Sequence, residues 1–408
     1  MTGRGVEETE EAAMTETLRC VSCGRSYPGG LRYRCDACGG ELEVLYDYAR
    51  AAGEFARTWT GHGSIWDRFR AALPAVRDEA IVTLGEGSTP LLRSRGLAAR
   101  LGLDRLYLKL EYASPTGSFK DRQVSIAISK AADAGKTNFA AVSSGNVGVA
   151  LSAYCARAGF DAEVWVSVDT AESKRLQISM YGAQVKLLPS TEDIGRYFAV
   201  YTRMQQYALQ HGKVPMVSAR PVNPYMVEGG KTIAFEIAAS LGGPPDQVFC
   251  CVGGGGLLGG VHKGFVELAA MGLAPRIPRI SGGQVTDRGH APIHRLDEEP
   301  YRSGAYYRPL DGAWAWRSIQ ASEGRWIGVT GADVAAAQQL VAFDEGIFAE
   351  PQGAYAVAAL QAACAEGAIP SGDTVVCTIT GSGLKDMEAA LRFQENPRYR
   401  TPVDAVFS

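Results

Sequence analysis

At 408 residues the chain exceeds what one small core can hold, which points to two large lobes plus an appendage. Hydrophobic residues make up 46% and charged residues 21%, and the net charge of −3 gives no electrostatic reason to expect nucleic acid or an anionic membrane as partner. No apolar run approaches the roughly 20 residues that span a bilayer. The start MTGRGVEETEEAAMTET lacks the charged-then-apolar order of a secretory signal, so a cytoplasmic protein is expected.

The first predicted element is a metal knuckle. Cys20, Cys23, Cys35 and Cys38 form two CxxC turns separated by eleven residues, and four thiolates suit tetrahedral zinc. Gly24 and Gly39 each follow the second cysteine of a pair and suit the tight backbone that brings amides to sulfur. A site closed by four thiolates has no open position for substrate, so structural zinc is expected there, with reduced metal-free cysteines as the alternative. The other cysteines (Cys155, Cys250, Cys251, Cys364, Cys377) lie in apolar segments and read as buried thiols.

Residues 49–73 read as a linker and helix, followed by the turn-rich IVTLGEGSTPLL. From there short β-rich runs (RLYLKLEY, NFAAVSS, AEVWVSV, QVKLLP, VPMVS, QVFCCVG, TVVCTITG) alternate with helical stretches such as SIAISKAADAG, NVGVALSAYCARAG and IAFEIAASLGG. That alternation predicts an α/β protein with parallel sheets covered on both faces and ligands beyond the carboxyl ends of the strands. PAVRDEA and the stretch 284–318, rich in Arg, Tyr, Trp and Pro, read as irregular surface or active-site excursions.

Four segments carry chemistry. In SPTGSFKDR, Lys120 falls in the first helical turn after a strand, where the helix dipole favours the neutral amine that a Schiff base requires. In VSSGNVGVA, Ser143, Ser144, Gly145 and Asn146 join a strand to a helix; free amides there suit a substrate carboxylate, and the Asn146 side chain can donate to a phenolic oxygen. In CVGGGGLLGG, Gly253, Gly254, Gly255 and Gly256 let backbone amides wrap a phosphate without side-chain clash. A dinucleotide fingerprint can be read into Gly254, Gly256 and Gly259, but the acid expected about 20 residues on is not obvious. In TITGSGLKD, Thr380 and Ser382 offer hydroxyls at a strand end; a hydroxyl leaves a pyridine nitrogen largely unprotonated, which suits elimination or replacement better than transamination.

Lysine, asparagine, glycine cradle and hydroxyl together describe a pyridoxal phosphate site. With GEGSTPLL, VNPYMVEGGKT and the ribbon ending CGGELEVLYD, they closely resemble threonine synthase, within the tryptophan synthase β-like fold of pyridoxal enzymes, over almost the whole chain. The resemblance implies two doubly wound three-layer domains behind the N-terminal zinc ribbon: ribbon 15–48, large domain 49–114 and 216–408, small domain 115–215. It implies that Lys120 holds the cofactor as a Schiff base and shuttles protons, that Asn146 meets the ring hydroxyl, Gly253 to Gly256 the phosphate and Thr380 the ring nitrogen. It also implies a homodimer acting on a small amino acid.

The chain departs from this pattern where family members bind the phosphate of O-phosphohomoserine. Many carry Thr after the asparagine of the SSGN turn, Asn-Ser before the VNP segment and Arg two residues after its proline; this chain has Val147, Arg220-Pro221 and Met226. Each lost charge-assisted bond is worth roughly 1.5–3 kcal/mol, so phosphate recognition should fail unless Arg220 or Lys231 compensates. GGGGL resembles serine and threonine dehydratases and tryptophan synthase β, and EPQGAYA replaces the usual EPxSA. The expectation is elimination and replacement with a leaving group other than that phosphate, in a distal pocket made less polar by Val147 and Met226 and with Arg220 at the substrate. The alternatives are threonine synthase itself, a serine/threonine dehydratase-like deaminase, a non-catalytic paralogue, and a nucleic-acid-binding ribbon.

Overall fold

Residues 16–143, 145–190, 194–302 and 306–393 are described in a computed structural model. The N-terminal sheet has strands β1 (Glu16–Cys20), β2 (Ser26–Pro28) and β3 (Leu42–Tyr46), all antiparallel in the order β2-β1-β3. Alternation buries Leu18 and Cys20 from β1 and Leu42, Val44 and Tyr46 from β3 on one face. The expected linker and helix resolve into Tyr48–Thr58, capped by Asp47, and the short Ile65–Phe69, closed by a Ser64–Asp67 capping box.

The catalytic framework is two further sheets. One has the order β8-β7-β6-β9, all parallel, from β6 (Asn138–Val142), β7 (Asp161–Ser167), β8 (Gln184–Leu188) and β9 (Val214–Pro215). The other runs β12-β11-β10-β13-β5-β4, from β4 (Leu91–Arg93), β5 (Arg105–Leu110), β10 (Gln247–Cys251), β11 (Arg279–Val285), β12 (Trp326–Val329) and β13 (Thr374–Ile379). It is parallel except at β4, which pairs antiparallel with β5 at the edge. The central strands are almost wholly buried, as a parallel sheet covered on both faces requires.

Three strands lie outside the sequence expectation. β4 and β12 are short, and β11 carries Gly282-Gly283, which lowers β-propensity yet is demanded by packing. A Cβ on Gly283 would lie 2.5 Å from the Tyr355 carbonyl oxygen, and one on Gly282 would lie 2.7 Å from Val252. β11 also ends at Val285, inside the stretch expected to be irregular. The VPMVS run pairs over only two residues.

The ribbon is welded to the large sheet's helices. Tyr46 Oη donates to Glu228 Oε2 at 2.9 Å, Lys263 Nζ donates to the Val44 carbonyl at 2.6 Å, and Tyr225 Oη donates to the Gly30 carbonyl at 2.6 Å. Phe55 meets Phe235 edge-on with ring centres 4.9 Å apart, within one apolar cluster that runs from Leu18 to Val376.

A buried ion network fixes the start of helix Lys120–Asp133. Arg122, fully buried, donates to both oxygens of Glu111 at 2.7 and 2.9 Å and to both oxygens of Glu236 at 2.8 Å. Lys109 Nζ adds a 2.6 Å bond to Glu236, whose carboxylate also accepts from the Ser88 amide at 2.8 Å. Burial alone would lower the Arg122 pKa; Glu111 and Glu236 overcome it and raise it above the usual arginine value. Glu236→Ala leaves three buried cations, Arg68, Lys109 and Arg122, with Glu111 as the remaining carboxylate of the network, so unfolding free energy should fall by about 3–5 kcal/mol. Urea denaturation followed by circular dichroism measures it, and a loss under about 1 kcal/mol would show the network to be dispensable.

Candidate active site

Loops at the carboxyl ends of the parallel strands converge on a cavity of about 510 Å³. The loop after β5 passes through Gly117, whose φ of +84° only glycine adopts readily, and delivers Lys120 as the first residue of its helix. That loop is stitched to the loop after β13: the Phe119 amide donates to the Thr380 carbonyl at 3.1 Å and the Ser382 amide to the Gly117 carbonyl at 3.0 Å. Lysine and threonine, far apart in sequence, are thereby held together.

Lys120 Nζ donates to Ser218 Oγ at 2.7 Å and Gln123 Oε1 at 3.1 Å, and it lies 4.2 Å from the centre of the Phe119 ring. Ser218 also donates to Gln123 Oε1. Burial lowers the Lys120 pKa to about 8, against the opposing pull of Cys251, Asp311 and Glu350. The sequence points to the helix dipole as the cause; desolvation is the leading one.

The turn after β6 brings Ser143, Asn146 and Val147 to the cavity wall; Ser144 lies outside the described residues. Ser143 Oγ accepts from the Gly145 and Gly148 amides, both at 3.0 Å, so two donors of the expected anion site are already used within the turn. Gly145 has φ +137°, and a Cβ there would lie 2.2 Å from the Lys174 side chain. Asn146 Nδ2 donates to Glu350 Oε1 at 2.6 Å, while its Oδ1 is buried without a hydrogen bond among the described residues. Glu350 is paired in turn with Lys174 at 3.0 Å.

Gly253 and Gly254 line the opposite wall, and Gly256 begins helix Gly256–Ala270. Gly255 has φ +96°; a Cβ on Gly254 would meet nothing within 4 Å. Asp311 packs against this loop, its amide donating to the Gly254 carbonyl at 2.8 Å. The Thr380 hydroxyl is buried without a normal hydrogen bond among the described residues and lies beside the Cys251 thiol, whose pKa burial raises to about 11.

Lys120, Ser143, Asn146, Gly253 and Gly254 are thus brought together, with Thr380 behind them. Arg220 is not. Its guanidinium donates to Glu41 of the ribbon at 2.8 and 3.2 Å and stacks over Trp314, away from the cavity. Met226 is fully buried in the core, and Lys231 is paired with Glu228 at 2.7 Å and Glu267 at 3.1 Å. Val147 does face the cavity, but Ser167, Asp169, Thr170, Lys174, Arg288 and His290 also line it and keep it polar, contrary to the expectation of a less polar pocket.

The profile of the pyridoxal-phosphate dependent enzymes matches residues 82–381. Threonine synthase of Methanocaldococcus jannaschii is 34% identical over 93% of this chain and 95% of its own length, and that of Methanosarcina acetivorans is 33% identical over 95% and 96%. The chain belongs to the pyridoxal-phosphate dependent enzymes, in the threonine synthase family. Among solved structures, diaminopropionate ammonia lyase of Escherichia coli superposes with TM-score 0.64 at 16% identity, covering 86% of this chain and 92% of that one. Threonine deaminase isoform 2 of Solanum lycopersicum superposes with TM-score 0.61 at 23% identity, covering 75% and 82%. These two show the shared fold of type II pyridoxal enzymes.

The cavity fits the family's cofactor on its own chemistry. It offers a lysine of lowered pKa, a glycine loop with room over Gly254 and an unpartnered Asn146 oxygen, and the unpartnered Thr380 hydroxyl belongs to the loop bonded to Phe119 beside the lysine. Missed by sequence reasoning are Gln123, Lys174, Ser218, Asp311, Glu350 and Gln352; Ser218 ends the VPMVS run, Asp311 sits in the stretch 284–318 and the last two in EPQGAYA, segments singled out without a role for these residues. At the ribbon, Cys20, Cys23, Cys35 and Cys38 place their sulfurs within 4.8 Å of one another, with Cys20–Cys38 at 3.5 Å and Cys23–Cys35 at 3.6 Å.

Because the lowered pKa frees the Lys120 amine at lower pH than an ordinary lysine, cofactor capture by the stripped family enzyme should accelerate as pH rises, with a midpoint at about 8. Rates of absorbance change on adding pyridoxal phosphate measure it; a midpoint near the ordinary lysine value would contradict the desolvation.

Proposed function

We propose that this chain is a lyase/synthase carrying out elimination and replacement on a small amino acid, with a leaving group other than the phosphate of O-phosphohomoserine. The observation that carries the leaving-group reading is the Arg220 guanidinium, tied to Glu41 and Trp314 instead of lining the cavity. With Met226 in the core and Val147 at the wall, three positions where the resemblance puts phosphate ligands supply none.

Pyridoxal phosphate, when bound, supplies an electron sink for the pair left on the substrate Cα. Lys120 Nζ holds the cofactor at rest and then removes and returns the Cα proton, while Ser218 and Gln123 orient the amine. The amides of Asn146 and Val147 take the substrate carboxylate, since those of Gly145 and Gly148 are occupied by Ser143. Gly253 to Gly256 take the cofactor phosphate, and Asn146 turns from Glu350 to the ring hydroxyl. Thr380 faces the ring nitrogen as a hydroxyl donor or acceptor, which limits charge delocalisation and favours departure of a side-chain group over transamination. Zinc joins the four cysteines: Zn–S bonds of about 2.3 Å imply sulfurs about 3.8 Å apart in a tetrahedron, close to the two spacings at the ribbon. A homodimer completes the proposed holoenzyme.

Lys174 and Arg288, cations in the cavity lining, favour a second reading, threonine synthase with a rebuilt phosphate site. The two readings separate in one assay. Purified holoenzyme is given O-phosphohomoserine, with phosphate and threonine followed, and in parallel O-acetylserine, with acetate followed. The proposed reaction predicts at least about tenfold higher kcat/KM on the acetyl ester, a difference of about 1.4 kcal/mol. Faster turnover of O-phosphohomoserine, lost in Arg288→Ala, would establish the second reading instead.

A further inference from the structure

One chain of contacts takes no part in the steps above, and it joins the ribbon to the glycine loop. Glu41 follows Cys38 by three residues and accepts from Arg220 Nη2 at 2.8 Å and Nε at 3.2 Å. The Arg220 guanidinium lies 4.5 Å from the centre of the Trp314 ring. Trp314 fills the space left by Gly259, where a Cβ would come within 2.5 Å of the indole. Gly259 belongs to helix Gly256–Ala270, which the glycine loop begins.

A second path runs through the backbone. The Arg220 amide donates to Asp311 Oδ1 at 3.0 Å, and the Asp311 amide donates to the Gly254 carbonyl at 2.8 Å. Asp311 approaches so closely that a Cβ on Gly255 would lie 2.8 Å from its carbonyl group, and one on Gly256 would lie 2.7 Å from Oδ2. Arg220 and Asp311 are both buried, so neither can turn to solvent to satisfy its charge. An acid this near a phosphate cradle would oppose an anion if it swung into the loop. The main-chain amide of Arg220 keeps it turned back, and the guanidinium offsets its charge.

We propose that Glu41, Arg220 and Asp311 form a relay through which the cysteine ribbon positions the glycine loop for the cofactor phosphate. Glu41 and Arg220 are positioning residues: neither touches the cofactor, and what they position is the loop at its phosphate end. Burial pushes the Asp311 carboxyl up to about 7, against the attraction of Arg220, which agrees with a carboxyl whose charge depends on that neighbour. The proposal rests on reading Gly253 to Gly256 as the phosphate cradle. It assigns Arg220, expected at the substrate, to the cofactor side of the site.

The test compares pyridoxal phosphate with pyridoxal, which lacks the phosphate, by absorbance titration of the full chain stripped of cofactor. Arg220→Ala should raise the Kd for pyridoxal phosphate about tenfold and leave that for pyridoxal within about twofold; Arg220→Lys should recover part of the loss. Glu41→Gln, at a side chain 34% exposed, should raise the pyridoxal phosphate Kd about threefold with the cysteines intact. Equal shifts for both ligands, or none in chains folded by circular dichroism, would overturn the relay. Should Arg220→Ala not fold, an unchanged ratio of the two constants in Glu41→Gln overturns it alone. Equal affinity of the wild-type chain for both ligands would instead remove the cradle itself, and the relay with it.

Discussion

The site depends on a guanidinium that cannot move. Arg122 stands two residues beyond Lys120 on the same helix and is held by four hydrogen bonds to two carboxylates, one on the turn after β5 and one on helix Lys231–Leu241. An uncompensated charge at that depth would be strongly destabilising, so the helix, the Ser88–Thr89 loop and the edge of the large sheet are fixed relative to one another. The lysine inherits that fixity. Its amine is presented to the cavity with low conformational freedom and with burial that keeps part of it neutral near pH 8.

Around this point the two sheets contribute different halves of the site. The small sheet supplies the Ser143–Val147 turn and Lys174, and the large sheet supplies Lys120, the glycine loop and Thr380. The EPQG turn closes the ring: Glu350 accepts from Asn146 of one half, pairs with Lys174, and donates its amide to the Gly381 carbonyl of the other. Glu350 is therefore a partner that both Asn146 and Lys174 can exchange for a ligand. That arrangement suits a site in which polar groups must be satisfied both with and without substrate.

Much of this was legible in the chain, and the limits were physical. Strands β5, β6, β7, β10 and β13 announce themselves because a doubly covered parallel strand is a largely apolar run, while β11 hides behind a glycine pair that close packing requires. Lys120, Asn146 and the glycine loop were readable because each sits at a strand-to-helix junction with a composition of its own. Arg220 and Met226 were not placed correctly by alignment of motifs. Side-chain direction there is decided by partners distant in sequence, Glu41 and Trp314 for the arginine and the apolar core for the methionine. Ser218 ends the VPMVS run and Asp311 sits in the stretch 284–318, yet nothing local marks either as a site residue; only the folded chain brings them to the amine and the loop.

The most direct test of this account asks which amine carries the cofactor, since Lys120 and the buried Lys174 line the cavity and the buried Lys385 donates to the Thr116 carbonyl nearby. Holoenzyme reduced with borohydride and digested should yield a phosphopyridoxyl group on the peptide containing Lys120, and mass spectrometry locates it. A label on Lys174 or Lys385, or none, would contradict the assignment of Lys120 and the chemistry built on it.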